Sequence, residues 1–291
     1  MRIRATVVAA VSGALALSAL AAPAAQADGP SFREKAASAF ASAHGASARS
    51  TFSTAAVIDD LDVSFSNFKI ATAVKVGTTN KVSTTVTYKI THGADVDIKS
   101  EDFDTGPYLY KGSFEAPVNL LFGDYAANCT ATSSTTANCT GKIDIYPAYG
   151  ELINSDAGTW KGGALALNYE TEQYADKGAL GTIKVQRYSK LTVNASPEPV
   201  KKGKTITVTG KLTRANWETN KYAGYTNQSV KLQFRKKNSS TYTTVKTIKT
   251  NSTGNLKTTV KASVDGYYRY NFEGTTTTPA VKAAGDFVDV K

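Results

Sequence analysis

Hydrophobic and polar residues alternate along most of the chain after residue 57, and the alternation has the two-residue period of a half-buried strand. Val82, Thr84, Val86, Tyr88 and Ile90 define one face of a strand, and Ser83, Thr85, Thr87 and Lys89 define the other. Leu61, Val63 and Phe65 alternate in one phase, whereas Phe68 and Ile70 continue in the opposite phase. Such a slip predicts a bulge or bend. Ile143 and Ile145, then Leu165, Leu167 and Tyr169, then Ile183 and Val185 mark further strands of a first β domain over residues 57–190.

A fresh series begins after Lys190. Leu191, Val193 and Ala195 open it, followed by Ile206, Val208 and Leu212. Val230, Leu232 and Phe234 come next, then Val245 and Ile248. The series continues with Leu256 and Val260, Tyr268, Tyr270 and Phe272, and closes on Phe287, Val288 and Val290. Lys202-Gly203, Thr253-Gly254 and Asp265-Gly266 supply turns between them. Seven short strands in about a hundred residues predict a sandwich with two apolar inner faces over residues 191–291. The expected fold class is all-β, with two β-sandwich domains. Thr, Tyr, Val, Ser and Gly are prominent throughout, and branched and aromatic side chains suit a pleated surface.

The second series carries a resemblance. Thr205-Ile206-Thr207-Val208-Thr209-Gly210-Lys211-Leu212-Thr213, Val230-Lys231-Leu232-Gln233-Phe234-Arg235, Asp265-Gly266-Tyr267-Tyr268-Arg269-Tyr270 and Gly285-Asp286-Phe287-Val288-Asp289-Val290 resemble the immunoglobulin-like modules of secreted actinobacterial proteins. The resemblance implies an immunoglobulin-like sandwich acting as an accessory or binding module, and a bacterial source. It implies no particular activity. This module lacks the paired cysteines of antibody domains, so its core must hold by packing alone. Residues 57–190 resemble no family.

The start of the chain has a different character. Arg2 and Arg4 precede an apolar run from Thr6 to Ala22, and Ala25-Gln26-Ala27 forms a small-x-small cleavage site. These are the three parts of a secretory signal, in order, over residues 1–27. The run is short for a membrane span. No cysteine follows the cleavage site to take a lipid, and no second apolar run appears. The expected product is secreted and extracellular, without a membrane span, and held at a surface only by non-covalent contacts. Residues 28–56 are rich in Ala, Ser and Gly and read as a flexible leader or propeptide, with a short helix near Arg33–Phe40.

An oxidising compartment gives Cys129 and Cys139 a simple role. They are the two cysteines of the chain and are expected to form a structural disulfide around a small, polar loop. Zinc would need further ligands, and a redox pair is more usually C-x-x-C.

Catalytic candidates are few. His44 lies in the leader and His92 in a turn, and no Gly-x-Ser-x-Gly elbow is present. No catalytic residue is assigned. Acidic residues cluster at Asp59, Asp60 and Asp62, and again at Asp95, Asp97, Glu101, Asp102 and Asp104. A facing carboxylate pair would suit a glycosidase. The second cluster could instead contribute oxygens to calcium, although it lacks EF-hand spacing. Calcium is the one cofactor these residues suggest. Trp160, Trp217, Tyr222 and Tyr225 lie near turn-like segments and are candidate binding aromatics for sugars or a partner protein. Six N-x-S/T sequons, at Asn128, Asn138, Asn194, Asn227, Asn238 and Asn251, matter only in a glycosylating host.

Without the signal, the chain holds 32 basic and 24 acidic side chains, a net charge of +8. That favours an anionic surface such as a cell-wall polymer. Nucleic acid is not expected, because no Arg-rich patch or reader motif appears. The sequence therefore points to a secreted, non-catalytic binding or structural protein, partnered by a cell-wall polymer or an extracellular protein. Three alternatives stay open. They are a hydrolase using acidic residues of the first domain, an enzyme inhibitor presenting loop 129–139, and a calcium-binding extracellular protein.

Overall fold

Strand β4 (Val82–His92) shows how the alternation becomes structure: Thr84, Val86, Tyr88, Ile90 and His92 are buried, and the residues between them face outward. A computed structural model describes residues 30–44 and 59–291. The secretory signal, the start of the leader, its end from residue 45 and the first two residues of the first domain lie outside the described residues. No helix among the described residues is long and apolar enough to cross a membrane.

The N-terminal half holds two facing sheets. One comprises β1 (Asp59–Asp60), β3 (Ala73–Val76), β5 (Phe103–Gly112), β6 (Pro117–Phe122), β9 (Gly158–Asn168) and β10 (Gln173–Arg187). Its order is β1-β10-β9-β5-β6, and β3 also pairs with β10. The other sheet runs β2-β4-β8-β7, with β2 at Val63–Ile70, β7 at Asn128–Ser133 and β8 at Thr136–Ile145. The phase slip in β2 is a register shift between Ser66 and Lys69, where Asn67 takes φ 51°. Between the sheets lies a core of Phe65, Val86, Tyr88, Ile90, Leu109, Ile143, Trp160, Ile183 and Val185. Thr105 Oγ1 donates to the Leu165 carbonyl at 2.7 Å, and Tyr88 donates to Thr105 at 3.0 Å. This polar link across the core is thus hydrogen-bonded at each atom.

The leader departs from expectation. Helix α1 (Phe32–His44) is docked on the outer face of the first sheet. Ser31 and Glu34 form a capping box at its start: Ser31 N–H donates to Glu34 Oε2 at 2.8 Å, and Glu34 N–H to Ser31 Oγ at 3.4 Å. Phe32, Ala36 and Phe40 recur every four residues, so they share one face. They bury against Tyr108, Tyr110, Phe122, Leu165, Leu167 and Tyr174, and Ala41 is buried beside them on the helix. A β-carbon at Gly106 would overlap the Phe32 ring, so the seat for that ring exists because residue 106 is glycine. Burial of two phenylalanines contributes about 1.5–3 kcal/mol each. That is why a segment otherwise poor in apolar residues is held. The sheet is therefore apolar on both faces, and the N-terminal half has three layers: helix, sheet and sheet.

The C-terminal half is a second sandwich with its own core of Ile206, Val208, Leu212, Val230, Leu232, Leu256, Tyr270 and Val288. One sheet centres on β13 (Thr205–Asn216), flanked by β11 (Ser189–Leu191), β12 (Asn194–Ser196), β14 (Lys221–Gly224) and β17 (Asn255–Lys261). The other runs β16-β15-β18, from Thr243–Lys249 through Ser229–Lys236 to Gly266–Phe272. There, β19 (Val281–Lys282) and β20 (Asp286–Val288) both pair with β18. Facing sheets of β12-β13-β17 and β16-β15-β18-β20 give an immunoglobulin-like arrangement. All seven strand signals read from the sequence correspond to strands here, and β14 and β19 are additional.

The two halves meet through the β13–β14 hairpin. Its tip carries Trp217 into the N-terminal core, where Nε1 donates to the Gly77 carbonyl at 3.0 Å. Arg187 Nε donates to the Ala215 carbonyl at 2.6 Å, and burial lowers the guanidinium pKa to about 10.

Candidate functional site

The aromatics singled out from the sequence are structural. Trp160 is fully buried, and its Nε1 donates to the Asp156 carbonyl at 2.7 Å. Trp217 is the hairpin plug, and Tyr222 packs beside it with Lys190 Nζ 3.8 Å from its ring centroid. Tyr225 is buried, with the Arg214 guanidinium 3.8 Å from its ring centroid. Each lies near a turn in sequence, and the turns fold inward at the junction between the halves. Tyr125 and Tyr149 stand out in solvent, about four-fifths exposed, and no sequence signal sets either apart.

Asp95, Asp97, Glu101 and Asp102 are spread along the loop before β5, and Asp104 lies in β5 itself. Asp97 Oδ1 accepts from the Lys99 N–H at 2.9 Å, and Asp104 Oδ2 accepts from the Tyr169 hydroxyl at 2.6 Å. Asp95, Glu101 and Asp102 are exposed. Asp62 and Asp95 approach one another over Gly93. No group of three or more His, Cys, Asp or Glu side chains placed to hold a metal occurs among the described residues. Two carboxylates fall short of the six to eight oxygens that calcium takes. The cysteines do meet: Cys129 and Cys139 pair across the β7–β8 hairpin in a disulfide. His92 is buried, its Nδ1 donating to the Gly93 carbonyl at 2.8 Å. His44 stacks on Phe40, and its Nε2 lies 2.9 Å from Asp176 Oδ2.

Two clusters of charged side chains remain. The first clamps α1. Arg33 contacts Asp124 at 3.0 Å and Glu151 at 2.6 Å, and also donates to the carbonyls of Phe122 and Asp144. Lys81 reaches Asp124 at 2.7 Å and Asp144 at 3.1 Å. Tyr146 donates to Asp124, and Ser83 to Asp144. Burial opposes ionisation of Asp124 and Asp144. The donors outweigh it: Lys81, Tyr146 and Arg33 at Asp124, and Ser83, the Asp124 N–H and Lys81 at Asp144. Both carboxyls are held below their ordinary range. Burial raises Glu151 despite the Tyr146 N–H and Arg33. Every charge here has a partner, so the cluster fastens a helix and leaves little for a ligand.

The second cluster is open. Residues 191–291 contain 17 Lys and Arg against 6 Asp and Glu, a net +11, whereas residues 28–190 contain 15 against 18, a net −3. Among the described residues, three of those 17 cations form salt bridges: Lys231 with Glu273, Lys237 with Asp265 and Lys291 with Asp289. On the outer face of the β16-β15-β18 sheet, Arg269 lies 3.6 Å and Arg235 lies 5.4 Å from the Tyr242 ring centroid, and Arg235 also covers Tyr267 at 3.8 Å. Arg269 Nε donates to Gln233 Oε1 at 2.9 Å, and Arg235 Nη1 to the Ser239 carbonyl at 2.9 Å. Stacking and these bonds fix both guanidiniums while leaving further N–H groups free. Beyond the end of this face lies an open hollow of about 510 Å³ lined by Lys202, Lys236, Lys237, Asn238, Asp265 and Lys291, among others. The sequence signal for this region was available as charge counted separately on each side of residue 190.

The fold defines the chain as an all-β protein of two sandwiches, the second immunoglobulin-like in its strand order. No protein-family model matches it, and no curated protein matches it by sequence. Solved structures with some likeness include dimeric latent PorU from Porphyromonas gingivalis, at 10% identity and a TM-score of 0.26 over 83% of this chain and 21% of that one. Others are the Yersinia pseudotuberculosis adhesin InvE, at 13% identity and 0.25 over 76% of this chain and 58% of that one, and the fibronectin(III)-like modules of Clostridium thermocellum CbhA, at 10% and 0.26 over 78% and 92%. The chain thus spans about a fifth of the first and under two thirds of the second.

Proposed function

We propose that this is a secreted, non-catalytic binding or structural protein that acts at a cell surface, engaging an anionic partner through its C-terminal sandwich. The observation that carries this reading is the division of charge: +11 on residues 191–291, with most of those cations free of carboxylate partners among the described residues. A field of one sign on one end of a molecule raises the local concentration of an oppositely charged partner and orients its approach. The N-terminal sandwich serves as a rigid support, with its polar cluster internally paired. The disulfide fits the oxidising compartment that the secretory signal implies.

Cosedimentation of mature protein with cell-wall material across a salt series tests the proposal. Retention at low ionic strength that falls as salt screens the contacts supports it. No retention, together with turnover of a glycan or peptide that ends when one acidic pair is neutralised, would replace it with the hydrolase reading.

A further inference from the structure

We infer that the outer face of the β16-β15-β18 sheet is the binding surface, and that its ligand is a linear phosphodiester polymer of the cell envelope. This rests on the proposed function and deepens it. Gln233 pairs with Arg269 and Arg235 with Tyr267, so the two arginines are diagonal neighbours on adjacent strands. Such neighbours sit about 7–8 Å apart, a spacing that successive charges of a short-repeat polyanion can meet. Guanidinium presents forked N–H donors that match a phosphate's oxygens, and here both guanidiniums are pre-set by ring stacking and by their bonds to Gln233 and Ser239. The ordering cost of binding is correspondingly reduced.

The surrounding carboxylates are engaged elsewhere. Glu273 pairs with Lys231, Asp265 accepts from the Val290 N–H and faces Lys237, and Asp286 accepts from the Ala195 N–H. The hollow containing Lys202, Lys236, Lys237 and Lys291 extends the cationic track past the end of β15. The rings argue for charge recognition over sugar or base stacking. Tyr242 and Tyr267 already carry guanidiniums on their faces, and Tyr267 and Phe287 lie against each other at 5.1 Å. Single-stranded nucleic acid is held by free aromatic faces, which this surface does not offer.

Binding of purified poly(glycerol phosphate) to the full mature protein, measured by calorimetry at low salt, tests the inference. Saturable binding is expected. R235Q/R269Q should weaken it about tenfold or more, and R235K/R269K, which keeps charge and loses the fork, should weaken it less. K257Q/K261Q, on the opposite sheet, removes the same number of charges and should leave affinity within about twofold. The inference is overturned if no saturable binding occurs, if K257Q/K261Q weakens binding as much as R235Q/R269Q, or if polygalacturonate or double-stranded DNA binds as tightly. Retention on cell-wall material without affinity for poly(glycerol phosphate) would overturn this inference and leave the proposed function standing.

Discussion

The N-terminal sandwich turns an apolar outer face toward helix α1, and the C-terminal sandwich turns a cationic outer face toward solvent. On the first, Tyr108, Tyr110, Phe122, Leu165 and Leu167 are covered by Phe32, Ala36 and Phe40, and Arg33 is bonded to Asp124 and Glu151 beside them. On the second, Arg235 and Arg269 are held in place by rings and neutral acceptors. A face whose partner is part of the same chain has closed its hydrogen bonds and buried its carbon. A face whose charges are fixed but unpaired is open to an oppositely charged partner. The contrast directs a search for ligands to residues 191–291, although the first sandwich has the larger share of acidic and exposed aromatic residues.

The comparison breaks most easily at the helix. Phe40→Ala should cost about 3–5 kcal/mol, because it empties a ring from a packed seat. Chemical denaturation would show it, and an apolar dye should bind the uncovered sheet. Arg235→Ala with Arg269→Ala should cost less, about 1 kcal/mol each, for the ring stacking and the hydrogen bond that each loses. Equal losses from both faces would mean that the cationic face is structural after all.

Cys129→Ser with Cys139→Ser comes next. The bridge spans ten residues of sequence within a hairpin, and chain entropy puts its contribution at about 3 kcal/mol or less. The loss should fall on the N-terminal sandwich and leave polymer binding unchanged, measured by melting and calorimetry. Loss of binding on reduction would move the site to loop 129–139.

What the sequence disclosed follows from where each signal is generated. Strands with one wet face, such as β4 and β15, show their period because half their residues must be polar. Strand β5 does not, because it is covered on both faces and contains Gly106-Pro107, which reads as a break. The proline is tolerated because β6 pairs with β5 only from Tyr108 onward. Helix α1 was legible as a helix, but its docking was not, since the seat is made of residues more than sixty positions away. Trp217 sits in a turn by sequence and in a core by structure, for the same reason. The cation–aromatic face was hidden because Arg235, Tyr242 and Arg269 become neighbours only through strand pairing.

Acid should separate the two halves further. Asp124 and Asp144 have folded pKa values below their ordinary ones. Their contribution is therefore present above the unfolded pKa of about 4 and is lost as pH falls through the lower folded values. The N-terminal melting temperature should drop on acidification below about pH 4, and Asp144→Asn should flatten that limb. Calcium is expected to have the smallest effect. Asp62 and Asp95 supply one pair of carboxylates, so millimolar calcium should leave the melting temperature unchanged. A saturable upward shift, removed by Asp102→Ala with Asp104→Ala, would establish the acidic residues around the start of β5 as a calcium site.

The central claim is that anion binding resides on one sandwich, and equal neutralisation of the two tests it most directly. One variant replaces Arg235, Lys236, Lys237 and Arg269 with glutamine, and the other replaces Lys69, Lys75, Lys142 and Lys177, all exposed on the N-terminal sandwich. Retention of each full-length protein on cell-wall material is then compared at fixed ionic strength. The account predicts that the first variant is released at least tenfold more readily, while the second behaves as the unaltered protein. Equal release of both variants would contradict it.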